Sequence, residues 1–350
     1  MSAPLPRVTA DLPGSGGVLK ASPEDFRVDE IPAYPPQGTG PHLWLRVEKR
    51  DRTTRDVIRA LAATLGVPDR EVGCAGLKDR AAVTTQWLSL PLSRDPDPAA
   101  LQGDGYRVLE ASRHQNKLRT GHLRGNRFGV AVRGGDIARA RACADALGLR
   151  GLPNFFGAQR FGAAGDNAEI GRRLLRGELA DAAVRRASRD RFLCRLTLSA
   201  WQSRLFNAWL AERLADGLFA TALAGDVLKK LDSGGLFVCE DPATDTARVA
   251  AFEVAPAGPM FGHKLALARG EPLRREERLL AAEGIGAADL ARGGGETEGT
   301  RRAARIRVAI ELEPLDGGYR ATFELPKGSY ATVVMGELTK TLDGELGEGE

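Results

Sequence analysis

One short segment of the sequence combines a carboxylate with two flanking cations. Asp79 lies between Lys78 and Arg80, directly after the apolar, glycine-containing run 74–77. Neighbouring positive charges favour the ionised form of a carboxylate, and that form suits a nucleophile better than a general acid. The triplet is therefore a candidate catalytic site. The alternative is a solvated surface turn, which such triplets also form.

A second segment has the composition of a binding surface. The window 112–128 contains no Asp or Glu, although the net charge of the whole chain is only +4. A local cationic strip on a nearly neutral protein favours a polyanionic partner. The residues predicted to contact that partner are Arg113, Lys117, Arg119 and Arg124. The alternative is a solvated basic loop.

Five segments, taken together, resemble one enzyme family. Residues 74–86 (CAGLKDRAAVTTQ) fit the signature A-G-x-K-D-x-x-A-x-T-x-Q of the TruD-type tRNA pseudouridine synthases. Residues 19–30 resemble its motif K-x-x-P-E-D-F-x-V-x-E, and residues 117–128 resemble K-L-R-x-G-x-x-x-G-N-x-F. Residues 154–162 and 325–332 resemble N-[YF]-F-G-x-Q-R-F-G and L-P-x-G-S-[YF]-A-T. The order of the motifs is also that of the family, so the resemblance covers nearly the entire chain.

This resemblance implies an isomerase that converts uridine to pseudouridine in tRNA, at position 13 of the D arm. The reaction breaks the N1–C1′ bond and joins C5 to C1′, with no redox step, so no cofactor or metal is expected. The resemblance assigns Asp79 as the nucleophile and Lys20 as the cation that pairs with it. Whether Asp79 forms a covalent adduct or acts through a glycal stays open. For Lys20, the alternative is a surface lysine at a strand end.

The target base must leave its stack before it can react. Phe26, Phe128 and Tyr330 each lie in a matched motif and are candidates to flank the extruded base. The Asn126 amide carries both a donor and an acceptor, which complement a uracil edge. Core packing of the aromatic residues and a structural turn at Asn126 are the alternatives. The cations of the basic strip are expected to contact phosphates rather than bases, because folded RNA is recognised mainly by backbone and shape.

Hydrophobic periodicity predicts an α+β protein with a mixed, mainly antiparallel sheet flanked by helices. The predicted strands are 17–20, 26–31, 42–49, 71–76, 85–90, 106–112, 127–132, 305–312 and 319–325. The predicted helices are 53–65, 136–147, 274–283 and 330–338, with a mainly helical region at 166–217. The Gly258–Gly262 segment is predicted to be a turn.

The resemblance implies a pseudouridine synthase catalytic fold interrupted by an inserted α+β TRUD domain. We expect the catalytic domain to comprise residues 1–152 and 304–340, and the insertion to comprise 153–303. Residues 341–350 form an acidic end that is predicted to be disordered.

Composition limits the other possibilities. The chain has no apolar run long enough to span a membrane, and no apolar segment typical of a signal peptide occurs near its N-terminus. The four cysteines are far apart and, with the four histidines, lack metal-ligand spacing. We therefore expect a cytoplasmic protein without a metal. A monomer without an obligate protein partner is the default.

Two rival functions remain. The first is a non-catalytic RNA-binding or RNA-folding protein, which would have no need of a carboxylate such as Asp79 in a basic groove. The second is a glycosidase or a nuclease. Glycosidases need two cooperating carboxylates. Glu24 and Asp25 are adjacent but would face opposite sides if they belonged to a strand. Nucleases typically use a metal-binding acidic cluster or a histidine pair, and neither is evident.

Overall fold

The computed structural model describes residues 4–341. Its strands are β1 Val18–Leu19, β2 Phe26–Pro32, β3 His42–Arg50, β4 Gly73–Cys74, β5 Val83–Leu90, β6 Gln102–Gly103, β7 Tyr106–His114, β8 Leu123–Arg133, β9 Leu152–Pro153, β10 Val227–Lys230, β11 Leu236–Val238, β12 Val254–Met260, β13 Thr300–Ala303, β14 Arg305–Ile306, β15 Ile310–Leu315 and β16 Gly318–Pro326. Its helices are α1 Thr54–Leu65, α2 Ile137–Arg150, α3 Asn167–Arg176, α4 Ala182–Arg189, α5 Arg191–Ala215, α6 Pro242–Ala250, α7 Gly270–Glu283, α8 Ala287–Arg292 and α9 Ala331–Thr339. All but one residue of the predicted acidic end lie outside the described residues.

The described chain divides into two compact units. The sheet unit comprises residues 13–144, 308–331 and 338–341, and the helical unit comprises residues 4–12, 145–307 and 332–337. The domain roles predicted from the sequence, catalytic and inserted, stay predictions.

The sheet unit is built on one large mixed sheet. Its strand order is β15-β16-β8-β2-β5-β3-β7-β6, with β1 also paired to β8 and β4 to β5. Neighbouring strands are antiparallel except for β2 and β5, which are parallel. The predicted α+β class and mainly antiparallel sheet are confirmed. Strand β8 lies between β2 and β16, so residues from distant parts of the sequence meet along it.

Helix α1 covers one half of this sheet, and its ends follow from local sequence. Thr53 caps its first turn, because its hydroxyl accepts the Asp56 N–H and the Asp56 carboxylate accepts the Thr53 N–H. Gly66 ends it in the left-handed conformation. The helix buries an apolar stripe against β3, β5 and β7. The residues of this cluster include Leu43, Leu45, Val47, Val57, Leu61, Leu65, Leu88, Leu90 and Val108.

The helical unit packs α3 and α4 along the long helix α5, beside a small sheet of order β11-β10-β12-β13. The Trp201, Leu205 and Trp209 side chains of α5 are buried. The predicted turn at Gly258–Gly262 is wrong, because β12 continues through Gly258 and pairs with β10 and β13. A Cβ at Gly258 would lie 2.5 Å from the Trp209 ring. The glycine therefore allows direct packing of α5 on the strand.

Two further expectations are corrected. Glu24 and Asp25 belong to a 3-10 turn, Pro23–Asp25, and not to a strand, so the reason given for separating their carboxylates does not hold. They do separate in space: Glu24 pairs with Arg50, whereas the buried Asp25 pairs with Arg133 at 2.6 Å. The predicted strand 305–312 is divided into β14 and β15. None of the described helices combines the length and apolar character needed to cross a membrane.

Candidate active site

Asp79 lies in the irregular segment between β4 and β5 of the sheet unit, with 37% of its side chain exposed. The Lys20 ammonium, only 8% exposed, lies with its Nζ 4.0 Å from Asp79 Oδ2. Burial lowers the pKa of Lys20, and the Asp79 charge opposes this effect by raising it. The structure thus places a partly exposed carboxylate beside a largely desolvated cation. Lys20 also has a positive φ of 53°, which is uncommon for a residue with a Cβ.

A buried lysine that the sequence analysis missed holds the backbone at Asp79. Lys49 is 2% exposed, and its Nζ donates hydrogen bonds to the carbonyl oxygens of Asp79 and Arg52, both at 2.6 Å. Hydrogen bonds from a charged group are stronger than neutral ones, and a buried cation needs such partners. The alternation of residues in β3 could have predicted this burial, because Lys49 continues the series Leu43, Leu45 and Val47 on the buried face.

The lysine that precedes the catalytic candidate is held from the opposite direction. Lys78 Nζ pairs with Glu30 Oε2 at 2.7 Å, and both side chains are buried. Glu30 is the final residue of the N-terminal motif and lies on the buried face of β2. Its other carboxylate oxygen accepts the Trp87 N–H at 3.3 Å. Lys78 therefore supports the loop and is not a second cation free to meet substrate.

A chain of neutral hydrogen bonds fixes the remaining backbone of the loop. The Lys78 N–H donates to Thr54 Oγ1 at 3.0 Å, and that hydroxyl donates to Gln86 Oε1 at 2.9 Å. The Gln86 amide nitrogen donates to the Gly76 carbonyl at 3.2 Å. Thr54 and Gln86 are buried, so these bonds are not exchanged with bulk water. The last position of the signature, Gln86, thus acts on the loop that contains Asp79.

Two of the three aromatic residues predicted to flank the base, Phe26 and Phe128, form a series of ring contacts that begins at Lys20. Lys20 Nζ is 4.1 Å from the centroid of the Phe26 ring, and that ring is 6.1 Å from the Phe128 ring. Phe128 in turn stacks on Phe323 at 5.5 Å. Both Phe26 and Phe128 are buried, so they form a wall under the site and do not project into solvent. Tyr330 is partly buried in the segment between β16 and α9.

The side chain of Asn126 has the environment expected of a group whose hydrogen-bond partner is a bound ligand. It lies on β8 opposite Glu30 of β2 and Leu325 of β16, two residues before Phe128 and on the same face. Its Oδ1 atom is buried and has no hydrogen-bond partner among residues 4–341. Buried amide oxygens are almost always paired in folded proteins. The unpaired acceptor is consistent with the predicted contact to a uracil edge.

The four cations of the basic strip differ in their surroundings. Arg113 is 14% exposed, and its guanidinium donates to Asp95 Oδ1 and to the carbonyl oxygens of residues 92–94. This arrangement gives it a structural task, which is to anchor the chain after β5. Lys117 is partly buried, whereas Arg119 and Arg124 are exposed. Within residues 4–341 no cluster of three or more His, Cys, Asp or Glu side chains could hold a metal ion.

Comparison with known proteins identifies the family of the chain. The sequence model described as tRNA pseudouridine synthase D (TruD) matches residues 6–188 and 187–338. A tRNA pseudouridine synthase D of Anaeromyxobacter dehalogenans is 72% identical over 336 residues, which are 96% of this chain and 96% of that protein. One of Thermus thermophilus is 41% identical over 339 residues, covering 96% of this chain and 92% of that protein.

The fold has a solved counterpart as well. The crystal structure of a candidate tRNA pseudouridine synthase D from Methanosarcina mazei has a TM-score of 0.78 and 23% identity, and covers 98% of each chain. The sequence relatives, similar along nearly the whole chain, show that the protein is a pseudouridine synthase. It belongs to the tRNA pseudouridine synthase D (TruD) family.

Replacing Thr54 by Val should lower kcat by roughly ten- to a hundredfold, because Val keeps the shape but cannot bridge the Lys78 N–H to Gln86, so Asp79 loses its fixed position. Leaving these buried groups unpaired should also cost about 1–3 kcal/mol of unfolding free energy. Steady-state kinetics and urea unfolding measure the two effects. Thr53→Val is the matched control, since it removes the α1 cap but no bond to the loop. Equal kcat losses in the two variants would contradict the positioning role.

Lys20→Arg should change the alkaline limb of the pH–rate profile. The lowered pKa means that Lys20 loses its proton, and with it the attraction to Asp79, at a lower pH than an ordinary lysine. Activity that depends on this cation is present below that pKa and falls as the pH rises through it. An arginine stays protonated, so the kcat/KM of the variant should begin to fall only at a higher pH. Ionisation of the RNA affects both enzymes equally, and coincident profiles would show that Lys20 is not the titrating group.

Proposed function

We propose that the protein converts uridine 13 in the D arm of tRNA to pseudouridine, with Asp79 as the catalytic group. The observation that supports this most directly is the geometry at Asp79. Its carboxylate is partly exposed and 4.0 Å from Lys20 Nζ, while its backbone is anchored by the buried Lys49. Family membership supports the class of reaction and of substrate. The corresponding enzyme class is EC 5.4.99.27.

The residues of the site suit the two bond changes of the reaction. The N1–C1′ bond breaks, the uracil turns, C5 bonds to C1′, the C5 proton passes to solvent, and N1 takes up a proton. Asp79 acts as an ionised carboxylate, either by covalent addition or by assisting through a glycal. The Lys20 charge attracts the Asp79 carboxylate and offsets negative charge that develops on the departing base.

The base is proposed to bind beside the Phe26 and Phe128 wall after it leaves its stack. The Asn126 amide meets the uracil edge, where its buried Oδ1 would accept the imino N3–H. Tyr330 is proposed to cover the base from the opposite side. Leu77 precedes the Lys-Asp pair and is 45% exposed, so it can contact the sugar as the nucleotide enters.

RNA phosphates are proposed to bind Lys117, Arg119 and Arg124. Arg113 does not belong to this set, because its donors are engaged within the protein. We further propose that residues 1–152 with 304–340 serve as the catalytic domain and 153–303 as the inserted domain. A cytoplasmic monomer that needs no cofactor and no obligate protein partner completes the proposal.

Asp79→Asn should abolish release of tritium from tRNA labelled at uracil C5, because the amide cannot act as a nucleophile. Folding and tRNA binding should be retained, since the loop anchors involve the Asp79 backbone and not its carboxylate. The measurement compares wild type and variant on a transcript with uridine at position 13 and on one with cytidine there. Release of tritium from both transcripts would contradict the proposal that uridine 13 is the target. Tight binding by wild type without release from any transcript would contradict the proposed reaction on this tRNA.

Lys117→Ala should weaken tRNA binding and reduce the slope of log K against log salt by about 0.7–0.9, which corresponds to one phosphate contact. Filter binding over a range of salt concentrations measures the slope. Arg113→Gln is the contrast within the same strip. It should lower the midpoint of unfolding, because it frees the chain after β5, and should leave the slope nearly unchanged. An unchanged slope in Lys117→Ala would remove that lysine from the RNA surface.

A further inference from the structure

The helical unit has a strongly charged corner that the proposed reaction does not use. Helices α4 and α5 are separated only by Asp190, and we refer to residues 181–195 as the α4–α5 corner. It contains five arginines and two aspartates, although the whole chain has a net charge of only +4. All five arginines are exposed. They are Arg185, Arg186, Arg189, Arg191 and Arg195.

The acidic groups at this corner are already engaged by the protein. Asp181 accepts the backbone N–H groups of Ala183 and Val184, at 2.7 and 3.2 Å, and so caps α4. Asp190 caps α5 in the same way through Phe192 and Leu193. These two carboxylates are needed at the helix ends and cannot fold over the guanidinium groups. Arg185 donates to the carbonyl oxygens of Leu179 and Ala180, whereas the Arg186 and Arg189 side chains are exposed to solvent.

One further carboxylate serves two arginines of α5. Glu296 lies 3.4 Å from Arg191 Nε and 2.6 Å from Arg195 Nε. These two bonds lower the pKa of Glu296, so it stays ionised throughout the neutral range. A single negative charge shared by two guanidinium groups leaves the pair positive. It also holds both groups in fixed positions near the start of the helix.

The side chain that follows Arg191 is the aromatic Phe192. It is 66% exposed, whereas the other large apolar side chains at the start of α5 are at least partly buried. Among the described residues, no other Phe, Tyr or Trp side chain is comparably exposed. Water contact with a free phenyl ring is unfavourable, and the ring contributes nothing to the core of the unit. A flat exposed ring among arginines is the arrangement with which proteins bind single-stranded nucleic acid.

We propose that the α4–α5 corner is a second RNA-binding surface, on which Phe192 stacks with one unpaired base while Arg186 and Arg189 contact the flanking phosphates. A protein partner fits less well, because the core of a protein interface is depleted of charged residues, whereas Phe192 belongs to a segment with five exposed arginines. The surface rests on the proposed function only in that the ligand is tRNA, which offers both phosphates and unstacked loop bases.

The test compares two probes on the full-length protein. One is an unmodified tRNA transcript, and the other is a blunt RNA duplex of similar length, which offers phosphates but no unstacked base. Phe192→Ala should weaken tRNA binding about five- to a hundredfold and leave duplex binding unchanged. Phe192→Trp should restore tRNA affinity. Arg186→Gln with Arg189→Gln should weaken both probes and reduce the salt slope by about two phosphate contacts.

Arg139→Gln with Arg141→Gln is the matched control, since it removes two exposed arginines from α2, where the chain has no exposed ring. Unchanged tRNA affinity in Phe192→Ala would overturn the proposal, as would an equal loss for tRNA and duplex. A loss of self-association in that variant without a loss of RNA affinity would also overturn it and assign the ring to a contact between copies. Because binding is measured without turnover, none of these results depends on whether uridine 13 is the target.

Discussion

The site depends on one constraint: the carboxylate proposed as catalytic must be accessible, yet its backbone must not move. Asp79 lies in irregular chain, where no strand pairing satisfies the backbone groups. Buried polar side chains satisfy them instead, with Lys49 on the Asp79 carbonyl, Thr54 on the Lys78 N–H and Gln86 on the Gly76 carbonyl. Each of these side chains comes from a different regular element, so the sheet and α1 must both form before the loop has one conformation.

This dependence explains why the signature at residues 74–86 extends beyond Asp79. Ala82 and Thr84 are fully buried where the chain enters β5, and Gln86 faces back towards the loop. The buried Lys78–Glu30 pair connects the loop to β2, and the aromatic wall continues from β2 to β8 and β16. The signature therefore contains residues that fix the backbone of the loop around Asp79, in addition to Asp79 itself.

Local rules in the sequence predicted the elements with short-range signals, such as α1, which Thr53 caps and Gly66 ends in the structure. They failed where a distant partner decides the outcome. Strand β12 contains two prolines and a glycine and reads as a turn, but the packing of Trp209 on Gly258 makes it a central strand. The pairing of Lys20 with Asp79 was expected only from resemblance, because no periodicity relates a residue after β1 to one after β4. The hydrogen bonds of Arg113 to the carbonyl oxygens of residues 92–94 could not be predicted from the sequence, because the fold sets these partners.

The order of strands in the large sheet has a consequence for how the enzyme is made. Strand β8, which carries Asn126 and Phe128, pairs along nine residues with β16, and β16 is synthesised only after the whole segment that forms most of the helical unit. During translation one edge of β8 therefore stays unpaired until β16 is made. An unpaired edge can form hydrogen bonds with strands of other chains. A ribosome-bound chain that ends before β16 would have the signature around Asp79 but not a complete wall for the base. Synthesis of β16 is thus required before a nascent chain can complete the sheet around the proposed site.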